Sequence, residues 1–234
     1  MALRHFTSPS LLDLDTMTDL PTWSVLHLFL HQNSTSDPKQ ALDAIEQCET
    51  LGQKVIALAI GGHKADIGLM CIGNEFMVQR QLQLDIKDSG YKISYSFLSR
   101  TEISEYASSI PEHMKQARLN PNLPPEGLNS FCFYPMSKKR EHGDNWYLLP
   151  YEERLRLMIE HGQSGKLFRG RVLQLITGSV GLDDFEWGVS LFANEFDDLK
   201  ECVYKMRFDE ASAKYADFGP FYAGLIMDKK EIFL

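Results

Sequence analysis

The chain is short of the residue patterns that staple, anchor or positively charge a protein. Its 234 residues hold four cysteines, Cys48, Cys71, Cys132 and Cys202, and no two of them form a CxxC pair. That spacing argues against a disulfide scaffold and against a zinc ribbon. All but Cys48 lie inside apolar runs, where a thiol behaves as a small hydrophobe. The four are expected as reduced thiols in a cytoplasmic protein. No apolar run approaches the ~20 residues of a membrane-spanning helix. The opening MALRHFTSPSLLDLDT lacks the uninterrupted apolar core and small-residue cleavage site of a secretory signal. Cationic charge is also short: 24 Lys and Arg against 32 Asp and Glu leave a net charge of −8. An electrostatic footprint for nucleic acid or an anionic membrane is not expected.

What the chain does have is length enough for one large domain or two small ones, and an order of elements that occurs twice. Residues 1–20, polar and broken by Ser and Asp, read as an arm. WSVLHLFLHQ (23–32) is a strand with two largely apolar faces, hence buried on both. His27 and His31 fall on one of those faces; a metal pair is one reading, but no third ligand is near in sequence. SDPKQALDAIEQCETLG follows as a capped helix ending at Gly52. KVIALAI (54–60) and ADIGLMCIG (65–73) are strands around a Gly61–Gly62 turn. NEFMVQRQLQLDI (74–86), with Asn74 as cap, is a second helix, and YKISYSFLS (91–99) a fourth strand.

Residues 100–128 form a connector rich in proline and asparagine, after which the order returns. SFCFYPM (130–136) is a strand, YEERLRLMIEHG (151–162) a helix closed by Gly162, and RVLQLITGS (171–179) and FEWGVSLFA (185–193) are strands. EFDDLKECVY (195–204) is a helix leading into KMRF (205–208). No residue-level repeat is apparent, yet the order strand, helix, strand, strand, helix, strand occurs twice. The expected fold class is α+β: a dimeric α+β barrel of two ferredoxin-like halves, with residues 21–125 as the first half plus connector and 126–234 as the second.

The stretch Phe131–Arg140 concentrates chemistry. Alternation puts Cys132, Tyr134, Met136 and Lys138 on one face and Phe131 and Phe133 on the other. The plain alternative is an edge strand blunted by Pro135 and paired lysines. On the helix 151–162, Leu155, Met158 and Ile159 form one apolar face, and Leu157 and His161 a stripe beside it. His161 is either a histidine favoured by the helix C-terminus or an axial ligand approached from an apolar side. Gln174 shares a strand face with Val172 and Ile176, as a core-bonded amide or a donor into a cavity.

Taken together, FYPMSKKR, NWYLLPYEERLRLMIEHGQSGKLF, VLQLITGSVGLDDFEWGVSLFA and VYKMRFDEASAKYADFGPFYAG, in that order, resemble the chlorite dismutase-like superfamily. More narrowly they resemble its coproheme decarboxylase branch. The likeness covers nearly all of 130–224 and is weaker in the first half, at GGHKADIGLM and ARLNPNLP. It implies a homopentamer whose C-terminal half binds porphyrin, with His161 as proximal iron ligand and Gln174 on the distal face. It also implies Tyr134 as catalytic tyrosine, Met136 and Lys138 on the propionate side, and Arg207, Ser212 and Arg118 as propionate contacts. The implied reaction uses hydrogen peroxide to convert iron coproporphyrin III to haem b, two propionates becoming vinyls with loss of carbon dioxide. A transient contact with the coproporphyrin ferrochelatase follows from the same likeness. One departure narrows it: true chlorite dismutases carry a distal arginine where this chain has Gln174, and a neutral amide holds an oxychlorine anion poorly. A haem-binding or haem-transfer protein and a porphyrin-free barrel are the other readings.

Overall fold

A computed structural model of the chain describes residues 21–107 and 110–233; the expected arm at 1–20 lies outside them. The first half runs β1 (Ser24–His31), α1 (Pro38–Thr50), β2 (Lys54–Ile60), β3 (Ile67–Gly73), α2 (Phe76–Asp88) and β4 (Lys92–Thr101). After α3 (Glu112–Leu119) the second half runs β5 (Ser130–Lys138), α4 (Tyr151–Lys166), β6 (Val172–Gly178), β7 (Trp187–Ala193) and α5 (Phe196–Met206). It finishes with α6 (Glu210–Tyr215), β8 (Ala216–Phe218), β9 (Tyr222–Ile226) and α7 (Lys229–Phe233). No helix among the described residues is long and apolar enough to cross a membrane.

Among the described residues all the strand pairings are antiparallel, and they close a ring in the order β5, β7, β6, β4, β1, β3, β2, β9 and back to β5; β8 attaches outside the ring at the end of β5. This is an α+β barrel of two ferredoxin-like halves. Aromatic side chains fill its interior, among them Phe29, Phe97, Phe131, Phe133, Phe192 and Tyr222. Strand alternation sends the remaining side chains outwards, under helices. Leu26, Leu28 and Leu30 of β1 pack under Leu42, Ile45 and Cys48 of α1. Cys132 and Tyr134 of β5 pack with Leu199 and Cys202 of α5.

The two halves do share a short repeat that pattern reading did not show. β3 and the residues after it read IGLMCIGNEF (67–76), and β7 reads WGVSLFANEF (187–196), with Asn-Glu-Phe opening α2 and α5 alike. The cap of α2 is therefore Glu75, not Asn74, and it makes no side-chain bond. Two further expectations change. α4 runs through Gly162 to Lys166, since that glycine takes no left-handed conformation and so does not end the helix. Residues 205–208 are not a strand: α5 continues to Met206, α6 follows, and the closing strand is β9.

Candidate functional site

On the outer face of the second half, three strands set residues in rows. Cys132, Leu191 and Gln174 lie opposite one another, as do Tyr134, Val189 and Ile176, then Met136, Trp187 and Gly178. β5 sits centrally, paired on both sides, which removes the edge-strand reading. Its partner on one side changes from β9 at Phe133 to β8 at Met136, leaving Pro135 at the switch, where its missing N–H is not needed. The Pro135 carbonyl accepts from Gly219 N–H at 2.8 Å. Glycine is required there, because a Cβ would lie 2.6 Å from the Pro135 ring and 2.7 Å from that of Phe185.

Tyr134 is 8 % exposed and stacks on Phe221 at 4.6 Å, with Phe218 at 5.7 Å. Burial holds its phenol above the ordinary tyrosine value. Lys138 is equally buried, its ammonium 4.3 Å from the Trp146 ring centroid and donating to the Ala211 carbonyl at 3.2 Å. Burial brings its pKa down to about 8 against the opposing pull of Asp209 and Glu186. Met136 packs beside this cluster. Arg207, closing α5, sets its guanidinium 5.0 Å from the Phe218 ring. It also lines a groove of about 460 Å³ with Cys132, Val203 and Phe221. The structure thus brings Tyr134, Met136 and Arg207 to one aromatic cluster, with Lys138 at the end of the same strand face.

His161 is on α4, a helix whose only fully buried side chain is Leu157. Its Nδ1 lies 3.1 and 3.2 Å from the two carboxylate oxygens of Asp209 and 3.3 Å from Ser212 Oγ. A carboxylate only accepts, so Nδ1 carries the proton, and in the neutral ring the lone pair is on Nε2. Among the described residues nothing bonds that Nε2. Asp209 caps α6, accepting from Ser212 N–H at 2.9 Å, and its side chain is 1 % exposed. Burial alone would raise its carboxyl; the His161 contact and the two Ser212 bonds outweigh that and hold it below the ordinary range.

Gly165, one turn beyond His161 on the same stripe of α4, faces Gln174: a Cβ there would be 3.7 Å from the Gln174 Nε2. Gln174 therefore packs under the same stripe of α4 that carries His161. Gln174 donates weakly to Cys202 Sγ at 3.6 Å. Ser212 sits with His161 and Asp209, and Arg118 lies exposed on α3 with no hydrogen bond or ion pair among the described residues. His27 and His31 are not brought together on a metal. His27 bonds Ser190 at 3.1 Å inside the barrel and His31 meets Asp66 at 3.2 Å. Asp209, Trp146, Phe218 and Phe221 were not singled out from sequence. Only Asp209 carried a signal, as an N-cap three residues before Ser212.

The same register explains why one half alone has this chemistry. With β3 set on β7 through the repeat, Leu26, Leu28 and Leu30 occupy the places of Cys132, Tyr134 and Met136, and Val55 that of Gln174. In the first half those places are apolar and closed by α1. No group of three or more His, Cys, Asp or Glu that could hold a metal occurs among the described residues. A lone imidazole with a free lone pair instead fits an iron whose other ligands come from a porphyrin.

An antiparallel α+β barrel whose second half alone carries an imidazole, a buried phenol and a buried ammonium outside the ring defines the class. The chain belongs to the chlorite dismutase family, whose model matches residues 33–227. It is similar to a solved haem-binding protein from Thermus thermophilus, with 34 % identity, 90 % of this chain and 93 % of that one covered, and a TM-score of 0.79. A variant of chlorite dismutase from Candidatus Nitrospira defluvii shares the fold at 18 % identity, with 94 % and 97 % covered and a TM-score of 0.72. The same enzyme in complex with imidazole gives 18 % identity, 94 % and 96 % coverage and a TM-score of 0.69.

Proposed function

We propose that this protein is a coproheme decarboxylase, acting on iron coproporphyrin III with hydrogen peroxide to yield haem b. The observation that carries the reading is a buried phenol, Tyr134, on the same strand face as a buried cation, Lys138, with Gln174, packed under the α4 stripe of His161, on the same outer face of the second half. A four-carboxylate substrate asks for cations at its rim, which Lys138 and Arg207 supply in an otherwise acidic chain. His161 is the proposed axial ligand, its ring oriented by Asp209. Met136 is proposed to wall the propionate side, and Ser212 and Arg118 remain proposed propionate contacts, Ser212 by leaving its present partner.

When bound with peroxide, the iron porphyrin supplies the oxidising equivalents. Tyr134 gives up an electron and a proton, and the resulting phenoxyl takes a hydrogen atom from the propionate chain. Each propionate loses two electrons, one proton and carbon dioxide to become a vinyl, and each peroxide takes up two electrons and two protons to become two waters. Gln174 holds peroxide as a neutral donor. Assembly as a homopentamer, and receipt of substrate from a ferrochelatase, are proposed with the same family branch. The test is addition of iron coproporphyrin III and peroxide, followed by mass analysis of the porphyrin. Loss of two carbon dioxides supports the reading, and an unchanged porphyrin overturns it. In that case haem binding alone, the property named for the Thermus relative, is the reading left.

A further inference from the structure

We propose that Lys64, from the first half, is a positioning residue for Tyr134; the inference rests on the role given to Tyr134 above. Lys64 lies at the surface in the turn between β2 and β3. Its ammonium donates to the backbone carbonyl of Phe221 at 2.7 Å and stands 5.7 Å from the Tyr222 ring centroid. Phe221 is the ring on which Tyr134 stacks. The turn that presents it, Gly219–Pro220–Phe221, has few other ties. Gly219 N–H bonds Pro135, Pro220 has no N–H, and the Phe221 carbonyl takes Lys64.

The lysine is itself held in place. Ser94 Oγ on β4 donates to the Lys64 carbonyl at 2.8 Å, and Gly61 N–H, three residues earlier, bonds the Ala223 carbonyl at 2.9 Å. β2 and β9 approach so closely there that a Cβ on Gly224 would lie 2.1 Å from the Ala59 carbonyl oxygen. A charge-assisted bond thus runs from the first half to the residue whose ring backs the phenol. It fixes the plane of the Phe221 ring and, through stacking, that of Tyr134.

The test reads the phenol directly, in protein without porphyrin, by fluorine NMR of 3-fluorotyrosine-labelled chain. The Tyr134 line is assigned by its loss in Tyr134→Phe. In Lys64→Met this line should move and broaden while other tyrosine lines away from Tyr222 stay, and Lys64→Arg should restore it. In a Phe221→Leu background, Lys64→Met should add nothing further. With iron coproporphyrin and peroxide, Lys64→Met should lower kcat by about five-fold, the share of one such bond, and leave the KM for peroxide unchanged. An unmoved Tyr134 line in Lys64→Met overturns the proposal. A moved line in a protein whose native form decarboxylates nothing leaves the positioning intact and overturns the function instead.

Discussion

The imidazole of His161 and the carboxylate of Asp209, 48 residues apart in the chain, meet at 3.1 Å with the carboxylate buried at the head of α6. The contact sets Nδ1 against Asp209 and leaves Nε2 on the far side of the ring. It also joins α4, which packs lightly, to α6.

Asp209→Asn keeps an N-cap, since asparagine caps as well as aspartate, but it loses the anionic acceptor. Iron-porphyrin affinity should fall by about ten- to a hundred-fold, and the iron–histidine stretch in resonance Raman should move to lower frequency. An unchanged stretch would mean that Asp209 only caps the helix.

Lys138 gives a pH dependence with a definite sign. Its pKa is brought down to about 8, so it is charged below that value and loses its charge as pH rises through it. Affinity for the tetracarboxylate porphyrin should therefore weaken as pH rises past about 8. Lys138→Met should bind more weakly at pH 7 and show a flatter profile, measured by absorption titration across pH 6–9.

Tyr134→Phe retains the ring and its stacking on Phe221 but lacks the labile proton. It should bind iron coproporphyrin and react with peroxide, yet stall before the first carbon dioxide leaves. Normal accumulation of haem b in that variant, by mass, would make the tyrosine structural only.

Gln174 is a neutral amide, so chlorite should be decomposed negligibly. Gln174→Arg should introduce a slow oxygen-evolving activity by adding a cation at that position. Rapid oxygen evolution from chlorite by the unaltered protein would overturn the role given to Gln174.

His27, inside the barrel, should contribute to acid sensitivity. Burial lowers its pKa to about 3, so it is neutral in the fold. The unfolded chain binds a proton there below about pH 6.5 and the fold does not, so stability falls as pH drops from that value towards 3. The slope is at most about 1.4 kcal/mol per pH unit. His27→Gln should be less stable at pH 7, and the fall of its Tm between pH 6.5 and 4.5 should be shallower.

Much of this was legible from local periodicity. The face shared by Tyr134, Met136 and Lys138 follows from strand alternation, and the two-fold order of elements gives the barrel. What was not legible depends on distance or on short elements. α6 has six residues, too few for a period, so the last strand was placed too early. Gly162 read as a helix stop because glycine usually is one; the helix continues past it with a bare surface that extends to Gly165. The Asp209 contact with His161 links positions no pattern joins. The repeat at 67–76 and 187–196 became visible only once β3 and β7 were matched by their place in the ring.

The ring also bears on how a flat ligand enters. A closed sheet has no terminal strand to peel away, and its inside is occupied by Phe29, Phe97, Phe131 and Phe133. Breathing of the row that holds Tyr134 would require opening β5 on both flanks at once. α4, by contrast, fully buries Leu157 alone. Amide exchange should therefore be faster along α4 than along β5. For the porphyrin of the proposed function, the side expected to give way is α4, which carries the imidazole, while the β5 row that holds the phenol, packed under α5, stays fixed.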